Sequence, residues 1–511
     1  MWAAVAVLCT LLVARYDRAY VASDGSQYIS VARNLIAGSG LSTSIVYYEE
    51  HYRIGGVPVP QTVFPPGYSL LIALPMAAGV PGAVSAFVVN LACFALSVLV
   101  LYDLARARGH GSASAALLAG VWALTVAGWT GVVMCASEPS FVLATLVSLR
   151  CLPRGDEPGR PLLAGCAAAA AAAIRYAGVF YLAAVGLVLG LELVRGRSKA
   201  SLRRFALVVG PPLLVLAALF LRNHALVGDL KGGNDQVSGQ SAADVGMLVA
   251  RAVTGLFGFS RLGLTRLQLP ELLLLASLVS LAALWAATRG ARLERTAAAP
   301  LLDRTTAVSA SYVAVSLGLL TYLELTKPVG LGTRMVLTLW PFVLLLALEV
   351  AARLRAKSPP PLRLAWLTAG LVSAAFLAGQ SASLRELLSD SDVQRCRALR
   401  DSFARSGLAE RLASEKRAGR PVLASRPQQV GEILEQPVLG LAERAYTRRV
   451  WTPEAVHELA NAYGVRYVLV HPATFTDSGN QVFFRGLASG MAPDWLELET
   501  TAAGLSLYRL R

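Results

Sequence analysis

Apolar residues fill most of the first 380 positions in long stretches, separated by short polar breaks. Crossing about 30 Å of hydrocarbon at 1.5 Å per residue takes roughly 20 residues. On that measure the chain holds eleven candidate spans, at about 2–20, 82–104, 114–133, 139–152, 161–174, 177–194, 205–221, 269–288, 305–325, 334–352 and 364–381. The segment from Trp2 to Ala14 lacks the basic leader of a signal peptide and a series of spans follows it, so it reads as a first transmembrane helix. The run from Pro161 to Val194 is too long for one helix and carries Arg175 in its middle. A guanidinium stranded at mid-membrane costs several kcal/mol, so two spans meeting at Arg175-Tyr176-Ala177-Gly178 are expected. The segment from Tyr68 to Ala78 is apolar but too short to cross, and is expected to dip into the membrane or lie along it.

Basic residues gather in every second break: Arg106 and Arg108, then Arg150, Arg154 and Arg160, then Arg195, Arg197, Lys199, Arg203 and Arg204, then Arg289, Arg292 and Arg295, then Arg353, Arg355, Lys357 and Arg363. Cytoplasmic loops carry this excess, which puts the N-terminus inside and the C-terminus outside. The outward face then holds a loop at 17–66, the turns around Glu138 and Arg175, a second loop at 222–268, and the turn before Arg334. The first half of that second loop, around Gly232-Gly233-Asn234, reads as a mobile lid. From about Ser383 the pattern changes. Pro421–Ser425 and Val465–Val470 read as strands, Pro453–Tyr463 as a helix followed by Gly464, and Leu496–Glu499 with Leu505–Arg509 as a closing hairpin. The expected fold is mainly α, a polytopic membrane helical bundle over residues 1–382, with a small soluble α/β module over 383–511 on the outer face.

Composition sharpens this picture. The chain is 55% hydrophobic and 15% charged, against about 25% charged in an ordinary soluble domain. Its net charge of +15 would suit a nucleic-acid binder, but the arginines sit in clusters between apolar runs. Membrane lipids, and not nucleic acid, are the expected surroundings. The cysteines Cys9, Cys93, Cys135, Cys151, Cys166 and Cys396 form no CxxC, so neither a disulfide framework nor a metal site is expected. His457 and His471 in the tail read as structural.

The first outward loop carries the strongest chemical signal. Tyr28, Val31, Ala32, Leu35 and Ile36 recur at helical spacing, with Asp24 before them and Gly38 after. This reads as an amphipathic helix on the membrane surface with a carboxylate at its mouth; taken alone, such an Asp is a helix cap. Phe64-Pro65-Pro66-Gly67-Tyr68 then makes a rigid turn back to the bilayer. A second outward carboxylate, Glu138, begins a span, where the helix dipole also favours one. Arg53, Arg175, Arg222 and Arg334 face outward too. Arginine grips phosphate in a fork, and arginines at an interface also snorkel to lipid headgroups. Glu49, Glu50 and His51 have the ligand types to hold a divalent cation with Asp24, but read better as a solvated loop.

The ordered set resembles the type C membrane glycosyltransferases: an Asp after the first span, Tyr28 four residues on, the Ala32-Arg33-Asn34-Leu35 helix, Gly38-Ser39-Gly40, then Pro65-Pro66-Gly67-Tyr68. The branch it looks most like is that of the protein O-mannosyltransferases and lipid A aminoarabinose transferases, over roughly residues 1–350. The resemblance implies inverting transfer of a sugar from a polyprenyl-phosphate carrier to an extracytoplasmic acceptor, whether lipid, glycan or protein, without a cofactor. It implies Asp24 as the catalytic carboxylate and Glu138 as the acidic residue of the second outward turn. Arg334 and Arg222 look like recurrent arginines of the relatives, with Arg175, Arg53 and Tyr28 as further donor-binding candidates. The implied location is the inner (plasma) membrane, multi-pass, with the site on the extracytoplasmic face. Two other classes share the bulk pattern. A flippase for lipid-linked glycans usually places ionisable groups near mid-membrane in paired repeats, whereas the acids here lie at the outer face. A non-catalytic scaffold with an outward binding module would not need Asp24.

Overall fold

The computed structural model describes residues 21, 23–152, 160–230, 240–256, 303–326, 332–357, 379–380, 391–443, 446–447, 449–471 and 482–511. The expected spans at 2–20 and 269–288, nearly all of that at 364–381, and the Gly232-Gly233-Asn234 segment lie outside these residues.

The segment before the bundle holds α1 (Ser23–Ile36), β1 (Ser42–Thr43), β2 (Ile45–Val46), α2 (Glu49–Ile54) and β3 (Val59–Pro60). The bundle follows as α3 (Gly67–Ala77), α4 (Gly82–Ala107), α5 (Ser112–Leu124), α6 (Val126–Val133), α7 (Glu138–Cys151), α8 (Arg160–Ile174), α9 (Gly178–Gly196), α10 (Lys199–Val227), α11 (Ala242–Leu256), α12 (Arg304–Thr326), α13 (Thr333–Leu337) and α14 (Trp340–Lys357). The tail contributes α15 (Ser391–Ser406), α16 (Leu408–Arg417), β4 (Val422–Ala424), α17 (Pro427–Leu434), β5 (Val438–Leu439), α18 (Pro453–Ala462), β6 (Tyr467–Val470), α19 (Val482–Ala488), β7 (Leu496–Ala502) and β8 (Leu505–Leu510).

Among the described residues, four helices (α4, α9, α10 and α12) are long and apolar enough to cross a membrane, or five if the bent pair α5–α6 is one span. That pair breaks by 50°, and the break has a cause. The Val126 amide donates to Gln380 Oε1 at 2.7 Å, while Thr125 Oγ1 receives Trp340 Nε1 at 3.1 Å. A side chain inserted into the helical ladder kinks it. The other break falls as expected, with α8 ending at Ile174 and α9 beginning at Gly178. Gly67 fits against that break. A Cβ there would lie 2.6 Å from the carbonyl carbon and oxygen of Ala173, so the Pro-Pro-Gly turn lets α3 abut the backbone just before Arg175.

Two expectations need correction. Helix α1 is not open on a membrane surface. Tyr28, Ile29 and Ala32 pack into the bundle core with Tyr68 and Ile72. Its polar face is buried as well. Gln27 Nε2 donates to Ile45 O at 3.2 Å, Asn34 Nδ2 donates to Ser42 O at 3.0 Å, and Ser30 Oγ accepts from the Ser44 amide at 2.9 Å. Side chains at i, i+3 and i+7 thus satisfy backbone groups of the β1–β2 segment, as buried polar groups require. Nor is Glu49-Glu50-His51 solvated, because Glu50 and His51 are buried. His51 Nδ1 accepts the Tyr47 amide at 3.3 Å and Nε2 faces Gln61 Oε1 at 3.4 Å. Burial lowers the His51 pKa to about 4, so the ring is neutral at pH 7.

The tail forms the expected α/β module, but its sheet reaches beyond the tail. The strand order is β2-β5-β4-β6-β8-β7. The pairs among β2, β5, β4 and β6 are parallel, and β8 pairs antiparallel with both β6 and β7. Strand β2 comes from the loop that follows α1, with Ile45 opposite Val438 and Val46 opposite Leu439. The loop also fills the module's core, where Tyr47, Tyr48 and Tyr52 pack with Leu439, Leu441 and Trp451. The Tyr52 hydroxyl donates to Gly440 O at 2.7 Å and accepts from the Ala442 amide at 3.1 Å. Helix α1 is thereby held between the bundle and α17, where Arg33 lies 3.5 Å from Glu432.

The structure also gives Arg108, one of the clustered basic residues, a role inside the protein. It is buried, with Nε 2.7 Å from Glu349 Oε1 on α14 and Nη1 2.9 Å from Asp303.

Candidate active site

Four separate elements deliver charged side chains to one point. Asp24 lies in the first turn of α1, Glu138 begins α7, Arg175 sits in the α8–α9 turn, and Arg334 belongs to α13. Arg334 joins the two carboxylates, with Nη2 3.1 Å from Asp24 Oδ2 and Nε 2.8 Å from Glu138 Oε1. Arg175 Nη1 lies 3.0 Å from the same Glu138 oxygen and donates to Ser137 Oγ at 2.8 Å. The Tyr28 hydroxyl is 3.2 Å from that Oγ.

Local sequence explains why Glu138 sits there. Pro139 occupies the first helical turn, where its missing N–H costs nothing, and the helix start favours a carboxylate. Asn90 on α4 secures the preceding turn, donating to Ala136 O at 2.8 Å. The Glu138 side chain is 0% exposed, whereas that of Asp24 is 27% exposed. A lone buried carboxylate is very costly, and two guanidiniums compensate it. Glu138 therefore clamps the two arginines, and Asp24 is the accessible carboxylate of the pair.

A cavity of about 410 Å³ opens beside this cluster. Asp24, Tyr28, Arg175, Tyr176, Ser316 and Thr338 are among its polar lining, and Phe64, Val179, Phe180, Phe220, Leu320, Leu323 and Met335 among its apolar lining. Apolar walls with a few convergent polar groups are the usual composition of a ligand site of that size.

The remaining arginine candidates are placed elsewhere. Arg222 Nη1 donates to Gln61 O at 2.8 Å and Nη2 to Leu41 O at 3.3 Å. Its neighbour Asn223 donates to the Tyr176 hydroxyl at 2.7 Å and to Thr62 O at 3.3 Å. Together they fasten the loop after α1 to the end of α10. Arg53, on α2, lies 3.6 Å from Glu49 Oε1 and does not line the cavity. Among the described residues, no three His, Cys, Asp or Glu side chains gather to hold a metal.

Ser137, Tyr176, Asn90 and Asn223 were not singled out from sequence. Three of them adjoin a charged residue that was, namely Glu138, Arg175 and Arg222. Adjacency to a buried charge was the available signal. Asn90, inside an apolar span, offered only its polarity.

No protein-family model and no curated protein matches the chain. Its fold does have counterparts. The chain is similar to ArnT from Cupriavidus metallidurans, solved in the apo state and bound to undecaprenyl phosphate. In each case the TM-score is 0.60 at 14% identity, over 99% of this chain and 97% of that one. It is also similar to the arabinofuranosyltransferase AftD from Mycobacteria, with a TM-score of 0.52 at 13% identity, over 99% of this chain and 41% of AftD. These neighbours are type C membrane glycosyltransferases. At such low identity the likeness defines architecture: the chain has the type C membrane glycosyltransferase fold along almost its whole length.

Proposed function

We propose that this protein is a membrane glycosyltransferase that takes a sugar from a polyprenyl-phosphate carrier and passes it, with inversion, to a hydroxyl group. The observation that carries this reading is that Asp24, the accessible carboxylate, lines a mostly apolar cavity that Arg175 also lines. The prenyl chain lies along the apolar walls and its phosphate meets Arg175. The acceptor oxygen attacks the anomeric carbon and the bond to the phosphate oxygen breaks, its electron pair leaving with the phosphate. Asp24 takes the acceptor proton as general base. Glu138 acts through the arginines, and Arg334 orients Asp24. Arg222 serves by holding the loop that carries Asp24. ArnT from Cupriavidus metallidurans has been solved with undecaprenyl phosphate bound, which supports the carrier class. The same reading keeps eleven spans, with the N-terminus inside and both site and module on the extracytoplasmic face of the plasma membrane. The acceptor is a lipid, glycan or protein on that face.

The test uses the purified full chain in lipid nanodiscs. Undecaprenyl phosphate should bind, and at least one of a panel of undecaprenyl-phosphate sugars should release its sugar to water. An absence of both binding and release would reject the reading.

A further inference from the structure

Ser137 stands at the N-cap of α7 but does not cap the helix. A serine in that place usually accepts a backbone amide of the first turn. The Ser137 side chain makes no such bond, and Pro139, two residues on, has no amide to give. Its Oγ is spent on two side chains from other elements. Arg175 Nη1 donates to it at 2.8 Å, and the Tyr28 hydroxyl lies 3.2 Å away. Ser137 is fully buried, so bulk water does not compete for either contact.

Both partners of Ser137 line the cavity with Asp24. Glu138, the next residue, answers the charge of Arg175 at 3.0 Å. Charge attraction depends mainly on distance, whereas a hydrogen bond also fixes the direction of an N–H. A guanidinium has no acceptor, so Ser137 Oγ accepts from Arg175 and keeps its own proton and second lone pair for Tyr28. Burial pushes the Tyr28 phenol up to about 12, so that hydroxyl is protonated at pH 7.

The turn that bears Ser137 is itself held in place. Asn90 Nδ2 donates to Ala136 O at 2.8 Å and to Gly131 O at 3.3 Å. The first turn of α1 abuts the same segment through Gly25, where a Cβ would lie 3.1 Å from the carbonyl oxygens of Met134 and Cys135. The residue after Asp24 therefore rests on the turn that carries Ser137 and Glu138.

We propose that Ser137 is a positioning residue of the site, which sets the direction in which Arg175 presents its guanidinium to the phosphate of the carrier lipid. This rests on the transferase reading above. Removing the hydroxyl leaves the charge of Arg175 and its ion pair with Glu138 and takes away the directed bond.

The experiment measures the affinity of undecaprenyl phosphate for the full chain in nanodiscs, in the wild type, Ser137→Ala, Arg175→Ala and the double variant. Undecaprenol, the same chain without the phosphate, is titrated alongside. Ser137→Ala should bind undecaprenyl phosphate about five- to tenfold more weakly and undecaprenol within about twofold of wild type. In the Arg175→Ala background the same substitution should cost no more than about twofold, because a residue that acts through Arg175 has nothing left to act on. An unchanged affinity for undecaprenyl phosphate in Ser137→Ala overturns the proposal. So does an equal fall for both lipids, which would make Ser137 part of the packing, and so does a full loss added to that of Arg175→Ala. A wild type that binds no undecaprenyl phosphate rejects the transferase reading itself, and is seen before any variant is compared.

Discussion

Asp24 and Glu138 are both bonded to Arg334, yet their surroundings give them different work. Glu138 is sealed beneath two guanidiniums, while Asp24 keeps an open side toward the cavity. The arginines divide in the same way, because Arg175 faces the cavity and Arg222 faces loop carbonyls. A charge-assisted contact to phosphate is worth roughly 1.5–3 kcal/mol, so Arg175→Ala should weaken undecaprenyl phosphate binding about tenfold or more. Arg222→Ala should leave that affinity within about twofold while lowering the melting temperature, since the loop carbonyls lose their partner. Titration of both variants with undecaprenyl phosphate decides the matter; equal losses would mean that the phosphate does not sit at Arg175. The residue types of all these groups were legible in the sequence. Which arginine meets the cavity was not, because it depends on how four elements distant in sequence converge.

At the scale of elements, most helices of the described bundle and the tail strands β4, β6, β7 and β8 fall close to where apolar runs and turn residues put them, whereas α11 lies where a loop at 222–268 was expected. Helix α1 was legible as a helix but not as a buried one. Its polar stripe of Gln27, Ser30 and Asn34 looks like a solvated face until β1 and β2 cover it. The joint between α1 and α17 has a pH dependence that follows from this burial. Burial pushes the Glu432 carboxyl up to about 7, against the pull of Arg33 and with a further rise from Glu435. The folded chain therefore favours the neutral acid. Its stabilising contribution is full below the ordinary value of 4.5 and is lost as pH rises through about 7. The melting temperature of the wild type should fall between about pH 5.5 and about pH 8 more steeply than that of Glu432→Gln, which cannot ionise. Parallel slopes for the two chains would remove Glu432 as the source.

Over the whole molecule, the bundle and the module are joined through the loop that carries Asp24. Residues 42–60 supply a strand to the module's sheet and aromatic side chains to its core, while α1 packs on α3 and the bundle. A sequence boundary near residue 383 is real in composition but does not mark where contacts stop. A two-residue strand such as Ile45–Val46 has too little periodicity to be read without its partner. The consequence bears on the site: Asp24 is held by Arg334 from the bundle, and the loop that carries it is held by the module. The most direct test of this account is sugar release by the wild type and Asp24→Asn, side by side in nanodiscs, from the undecaprenyl-phosphate sugar that the wild type accepts. A general base contributes about 10²–10⁴-fold, so release by Asp24→Asn should fall by that much while undecaprenyl phosphate still binds. An Asp24→Asn chain that binds the lipid and releases sugar at the wild-type rate would contradict it.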